Sequence, residues 1–180
     1  MIRLDRDLGD RAPDQMAVNV SPATLATDVD MLVEQVLTGT GADPHRLVLE
    51  LPEEADLDAL TQAAPRLERL RRLGVGLILD DMGAGSTSLR HLSTLAVGGL
   101  KIDAAFISGM LHNPRDRTVV KLLADLGRGL NLPVTAEGIG SPDQFAALAE
   151  LDIDYAQGFH LGRPQPLEHL TRILVGAVTP

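Results

Sequence analysis

The sequence has no cysteine, which removes disulfides and thiolate metal sites, structural zinc among them. Aromatics make up only 2% of it, three Phe and one Tyr with no Trp, so stacking platforms for nucleic-acid bases are few. No apolar run approaches the roughly 20 residues of a membrane span. The opening MIRLDRDLGDRAPDQ is too charged for a signal peptide, and the expectation is a soluble, cytoplasmic chain. Basic charge is also short. With 25 acidic against 16 basic residues the net charge is -9, which argues against the basic stripe that long DNA or RNA requires. A small phosphorylated ligand stays compatible, because a metal ion reverses the local sign of an acidic pocket.

What is present is core. At 180 residues and 44% hydrophobic, the chain can bury one core. Residues 1–15 read as a charged N-terminal segment and 16–180 as one domain. Within the domain, short runs rich in Val, Ile and Leu alternate with amphipathic stretches, the pattern of repeated βα units around a parallel sheet. Strands are expected at 16–20, 46–51, 74–81, 98–103, 132–138 and 154–158, all apolar enough for burial on both faces. Helices are expected at 22–39, 57–73, 87–96, 116–130, 142–151 and 166–176. Ser21-Pro22 and Ser141-Pro142 read as capped helix starts, and Gly41 and Gly74 as helix ends. The second helix carries Leu57, Leu60, Ala64, Leu67, Leu70 and Leu73 as an apolar stripe to cover the sheet.

The residues that close these strands carry the chemistry. Asn19 closes the first, Glu50 the second, Asp80 and Asp81 the third, Lys101 and Asp103 the fourth, Glu137 the fifth and Gln157 the sixth. Parallel α/β sheets and barrels place their sites at the carboxyl ends of strands. Carboxylates gathered there would repel by about 4 kcal/mol per pair at 4 Å and an effective dielectric of 20. A cation is therefore expected among them. Oxygen and amide ligands suit magnesium, manganese or calcium, and the adjacent pair Asp80-Asp81 could serve two ions.

Plainer readings stand beside these. Asn19 by itself suits a turn before Ser21-Pro22, and Glu53 and Glu54 suit the first turn of a helix. Asp81 could be a helix cap, and Asp103 reads as a structural cap or a neighbour of Lys101. A lysine between Leu100 and Ile102 on an inner strand points to a task. His45, His91, His112 and His169 show no metal-ligand spacing, and His160, beside Gly158, could touch a ligand but more often such a residue does not.

Taken in order, VNVS (18–21), LELPEE (49–54), DDMGAGSTSL (80–89), LKID (100–103), AEGIG (136–140) and QGFHLGRP (157–164) resemble the motifs of the EAL domain. This is the bacterial cyclic di-GMP phosphodiesterase module of signal transduction, a TIM-like (β/α) barrel. The resemblance implies an incomplete α/β barrel of about six of the eight βα units that a full barrel of about 250 residues carries. It implies Asn19, Glu50 and Asp80 as ligands of a first Mg2+ or Mn2+ and Asp81 as ligand of a second. Lys101, Glu137, Gln157 and Glu53 are the implied catalytic residues: Lys101 meets water and phosphoryl charge, Glu137 and Gln157 complete the shell, and Glu53 braces the loop at 80–88. Gly158, Arg163 and Pro164 are implied substrate contacts, and cyclic di-GMP is the implied ligand, opened to pGpG.

The resemblance has departures. The sequence contains no Glu-Ala-Leu tripeptide, and Gly140 stands where the family pattern has a second acid. Two βα units are expected to be missing, which would leave the first and last strands as edges open to a homodimer or other association. The readings carried forward are a metal-dependent phosphodiesterase, a degenerate domain that binds cyclic di-GMP or a protein partner, and an unrelated barrel lyase using Lys101.

Overall fold

A computed structural model describes residues 1, 8–52, 57–84, 92–93 and 95–176. Six strands form one sheet in the order of the chain: β1 (Met16–Asn19), β2 (Leu47–Pro52), β3 (Gly76–Met82), β4 (Gly99–Ile102), β5 (Val134–Ala136) and β6 (Tyr155–Ala156). Every neighbouring pair is parallel. The helices are α1 (Pro22–Leu25), α2 (Val29–Thr40), α3 (Leu57–Arg72), α4 (Ala104–Gly109), α5 (Pro114–Leu130), α6 (Pro142–Ala149) and α7 (Leu167–Gly176). The result is the expected incomplete (β/α) barrel, with six strands among the described residues.

Helix and sheet meet in one core. Leu60, Leu67 and Leu70 of α3 are almost wholly buried with Leu49, Leu51, Leu77 and Leu79 of β2 and β3, so most of the foreseen stripe does cover the sheet. Leu73 does not, being 37% exposed at the helix end. Burial of the inner strands follows expectation, since all four residues of β4 are buried. The outer strands depart from it: β1 is exposed over Ala17, Val18 and Asn19, and Tyr155 of β6 is 63% exposed. The reason is positional, because among the described residues β1 and β6 each have a strand on one side only.

Helix boundaries follow local hydrogen bonding. The single helix expected over 22–39 breaks into α1 and α2, where the Thr27 hydroxyl donates to the Thr24 carbonyl (2.7 Å) and Arg66 of α3 donates to the Thr27 carbonyl (2.8 Å). Such side-chain bonds compete with the helical ladder. Gly41 ends α2 at φ 68°, as read from sequence. α5 starts two residues before the expected position because the Asn113 side chain caps Arg115 N–H and Pro114 takes the first turn. α4 was not expected at all. Asp103 caps it by accepting from Ala105 N–H, so that residue has the structural role foreseen. Arg46 secures part of the N-terminal segment through the Pro13 and Asp14 carbonyls. The helix expected at 87–96 and Glu53 and Glu54 lie largely or wholly outside the described residues.

Candidate functional site

Strand register assembles the site. Asn19 pairs in register with Glu50, and β3 and β4 carry Asp80 and Lys101 to the same end of the sheet. Successive residues of a regular strand face opposite ways, so Asp80 and Asp81 should diverge. They do not, because the β3–β4 pairing shifts register between Leu79 and Met82 and Asp81 takes φ 57°. This left-handed conformation costs a non-glycine residue about 1–2 kcal/mol. It brings ligand atoms of Asp80, Asp81 and Glu137 within 4.8 Å of one another. Irregularities of this kind recur beside active sites, where they re-aim a side chain.

Lys101 is the centre of the cluster. The residue is 4% exposed, and its ammonium lies 2.6 Å from Glu137 Oε1, 2.9 Å from Glu50 Oε1 and 3.1 Å from Asp80 Oδ1. Burial alone would ease its proton off, but hydrogen bonds to Glu137 and Glu50 and the charge of Asp80 outweigh burial and hold its pKa above the ordinary lysine value. The Glu137 pKa is raised as well: burial, with the charge of Asp80, outweighs the opposing pull of Lys101. Three carboxylates thus share one ammonium, with Asp81 alongside. The group retains negative charge that a divalent ion would neutralise.

Asn19 reads in the same terms. With its amide nitrogen toward the carboxylates, it donates to Glu50 Oε2 (3.0 Å) and Asp80 Oδ2 (3.2 Å). With the oxygen turned to them instead, three oxygens face one another, an arrangement that requires a cation. The donor set is all oxygen, which suits magnesium, manganese or calcium rather than zinc or copper. Asn19, Glu50, Asp80, Asp81 and Glu137 therefore fit a hard divalent ion.

Of the remaining expected residues, Gln157 and Gly158 share cavities with members of the cluster. Gln157 lines a cavity of about 360 Å³ with Glu50, Ile78, Lys101 and Thr135, and a second of about 330 Å³ with Glu137, Gly158 and Phe159. Gly158 has a packing reason to be glycine, since a Cβ there would fall 2.2 Å from Ile139 N. Arg163 stacks on the Phe159 ring with 4.4 Å to its centroid, and Pro164 is exposed. Glu53, expected to brace the 80–88 loop, is not among the described residues. A larger depression of about 670 Å³ runs along the outside of α2 past Met31 and Arg69 and contains none of the strand-end residues. Sequence reading missed Gln144, a buried amide beside the Glu137 loop. Its only sequence signal was the Ser141-to-Gln144 spacing of a capping box.

Comparison with known proteins agrees with this geometry. Residues 2–164 match the model of the EAL domain family. The chain is 37% identical over 164 residues to the bifunctional diguanylate cyclase/cyclic di-GMP phosphodiesterase MucR of Pseudomonas aeruginosa, covering 90% of this chain and 24% of MucR. It is 37% identical over 158 residues to the cyclic di-GMP phosphodiesterase NbdA of the same organism, covering 88% of this chain and 20% of NbdA. The chain thus spans about a quarter or less of these relatives. The PaMucR phosphodiesterase in its c-di-GMP complex superimposes with a TM-score of 0.86 at 36% identity, covering 94% of this chain and 68% of that one.

Proposed function

The chain belongs to the EAL domain family, and from that premise we propose that it is a metal-dependent phosphodiesterase domain that opens cyclic di-GMP to linear pGpG. The observation that carries the proposal is the buried Lys101 ammonium held among Glu50, Asp80 and Glu137, with Asp81 turned to the same mouth. Mg2+ or Mn2+ held by Asn19, Glu50, Asp80, Asp81 and Glu137 would lower the pKa of a water and neutralise phosphodiester charge. The water oxygen forms a bond to phosphorus, the P–O3′ bond breaks, and the leaving oxygen takes a proton.

The protein's own contribution is positioning and charge. Lys101 keeps its proton, so it serves as a fixed positive donor to a phosphoryl oxygen rather than as a base. Glu137 holds the Lys101 ammonium in place at 2.6 Å and, with Gln157, completes the shell around the attacking water. Gln157 orients that water, and Gly158, Arg163 and Pro164 contact the nucleotide. The raised pKa of Lys101 also counts against a lyase, whose Schiff-base or general-base lysine must shed its proton. Association through the β1 and β6 edges, as a homodimer or with another partner, accords with the exposure of Val18 (45%) and Tyr155 (63%).

A second reading is a domain that binds cyclic di-GMP or a protein partner without turnover. It is favoured by the way Lys101 bridges three carboxylates, Glu50, Asp80 and Glu137, in place of an ion. Incubation with cyclic di-GMP and Mg2+ or Mn2+, read by chromatography, separates the two. Formation of pGpG that Asp80→Ala abolishes is expected. Calorimetric binding with no product at high protein concentration would establish the second reading, and turnover unchanged by Asp80→Ala would remove Asp80 from the ligand set.

A further inference from the structure

We infer that Gln144 is a positioning residue that holds the Glu137 loop against Lys101. The inference rests on the proposed role of that pair. Lys101 and Glu137 sit on different βα units, and their bond at 2.6 Å survives only if the segment after β5 keeps its place over α4. The backbone there is tightly constrained. Glu137 N–H donates to the Ile102 carbonyl (3.3 Å), and Gly138, at φ 73°, packs so closely that a Cβ would fall 2.5 Å from that of Ala104.

Gln144 closes the arrangement. Its Oε1 accepts from Gly140 N–H (2.8 Å) and Ser141 N–H (3.1 Å), while its Nε2 donates to the carbonyl of Ile107 in α4 (3.0 Å). One buried side chain therefore ties the loop after Glu137 to the helix that follows Lys101. Gly140, which has no side chain to brace the loop, is held through its backbone instead.

The bland alternative is a helix cap, because Ser141 and Gln144 do form a capping box at the start of α6. The two roles part at Ile107. A capping box needs the Gln144 oxygen and the Ser141 hydroxyl, but a cap has no use for the Nε2 bond to another helix.

The test compares Gln144→Met, Gln144→Glu and Ser141→Ala with the wild type. The first readout is the proton–nitrogen NMR signal of the Lys101 ammonium, which reports its carboxylate partners without metal or substrate. The second is Mn2+ affinity by calorimetry. Positioning predicts that Gln144→Met and Gln144→Glu both shift or broaden the Lys101 signal and weaken Mn2+ binding by about tenfold, the lower end for residues that orient metal ligands. Ser141→Ala should leave both readouts at the wild-type value. If Gln144→Met does not fold, Gln144→Glu, which retains the cap, decides alone. An unchanged Lys101 signal in the folded Gln144 variants, or an equal disturbance from Ser141→Ala, would overturn the inference. Failure of the wild type to bind Mn2+ or yield pGpG would instead count against the proposed function, with the Lys101 signal still deciding the role of Gln144.

Discussion

Replacing Lys101 by methionine removes the ammonium that pairs with Glu50, Asp80 and Glu137 while filling its volume. At the observed separations of 2.6–3.1 Å, each ammonium–carboxylate pair is worth about 5–6 kcal/mol of gross attraction at an effective dielectric of 20. Desolvation offsets much of that, and breaking a buried pair by removing one partner costs about 3–5 kcal/mol net. We expect Lys101→Met to lose about that much stability near neutral pH, measured by urea denaturation. The loss has a sign in pH. Glu137 already has a pKa above 4.5, burial being the main cause, and losing the ammonium raises it further. A carboxyl with a raised folded pKa binds more protons in the folded state, so stability falls as pH climbs from the unfolded value through the folded one. The deficit should be full above the folded pKa and shrink as pH drops toward 4.5. Mn2+ at about 100 times its dissociation constant should restore about 2.7 kcal/mol, because it binds only the folded cluster. A Lys101→Met protein as stable as the wild type at neutral pH, with the same pH profile and no metal response, would refute the electrostatic account of the site.

Three more expectations follow from the same geometry. Asp81→Gly should relieve the left-handed backbone, raising stability by up to about 1 kcal/mol in thermal unfolding, while calorimetry shows weaker Mn2+ binding; weaker stability together with unchanged binding would contradict both halves. Gly158→Ala should cost about 1–3 kcal/mol in denaturant unfolding, since its Cβ would fall 2.2 Å from Ile139 N, and a neutral result would show that the segment can shift freely. Val18→Lys should leave stability within about 0.5 kcal/mol, as expected of an exposed residue, but reduce any self-association in sedimentation, because a charge on an edge strand opposes pairing; undiminished self-association would place the contact elsewhere.

The alternation of βα units was legible because its period is local. All six expected strands occur, with ends that differ from expectation by at most two residues. Ser21, Ser141 and Gly41 marked helix ends correctly, since capping depends on a few adjacent residues. The break at Thr27 was not legible, because half of its cause is Arg66, which is distant in sequence. The same limit applied to α4, a short helix whose apolar residues gave no clear period.

For the site, sequence alone determined which groups are present: Asn19, Glu50, Asp80, Asp81, Lys101, Glu137 and Gln157, each at or near a strand end, in an order that names the family. That much is local information. Only the tertiary structure decided how they act on one another. Lys101 chose three carboxylate partners, two from the neighbouring strands β2 and β3 and one from the loop after β5, and the Gln144 amide bridged two βα units. The bulge at Asp81 turned two adjacent acids into one cluster, against the alternation that a strand imposes. Local pattern cannot specify such outcomes, because each depends on strand register and on packing between segments far apart in the chain.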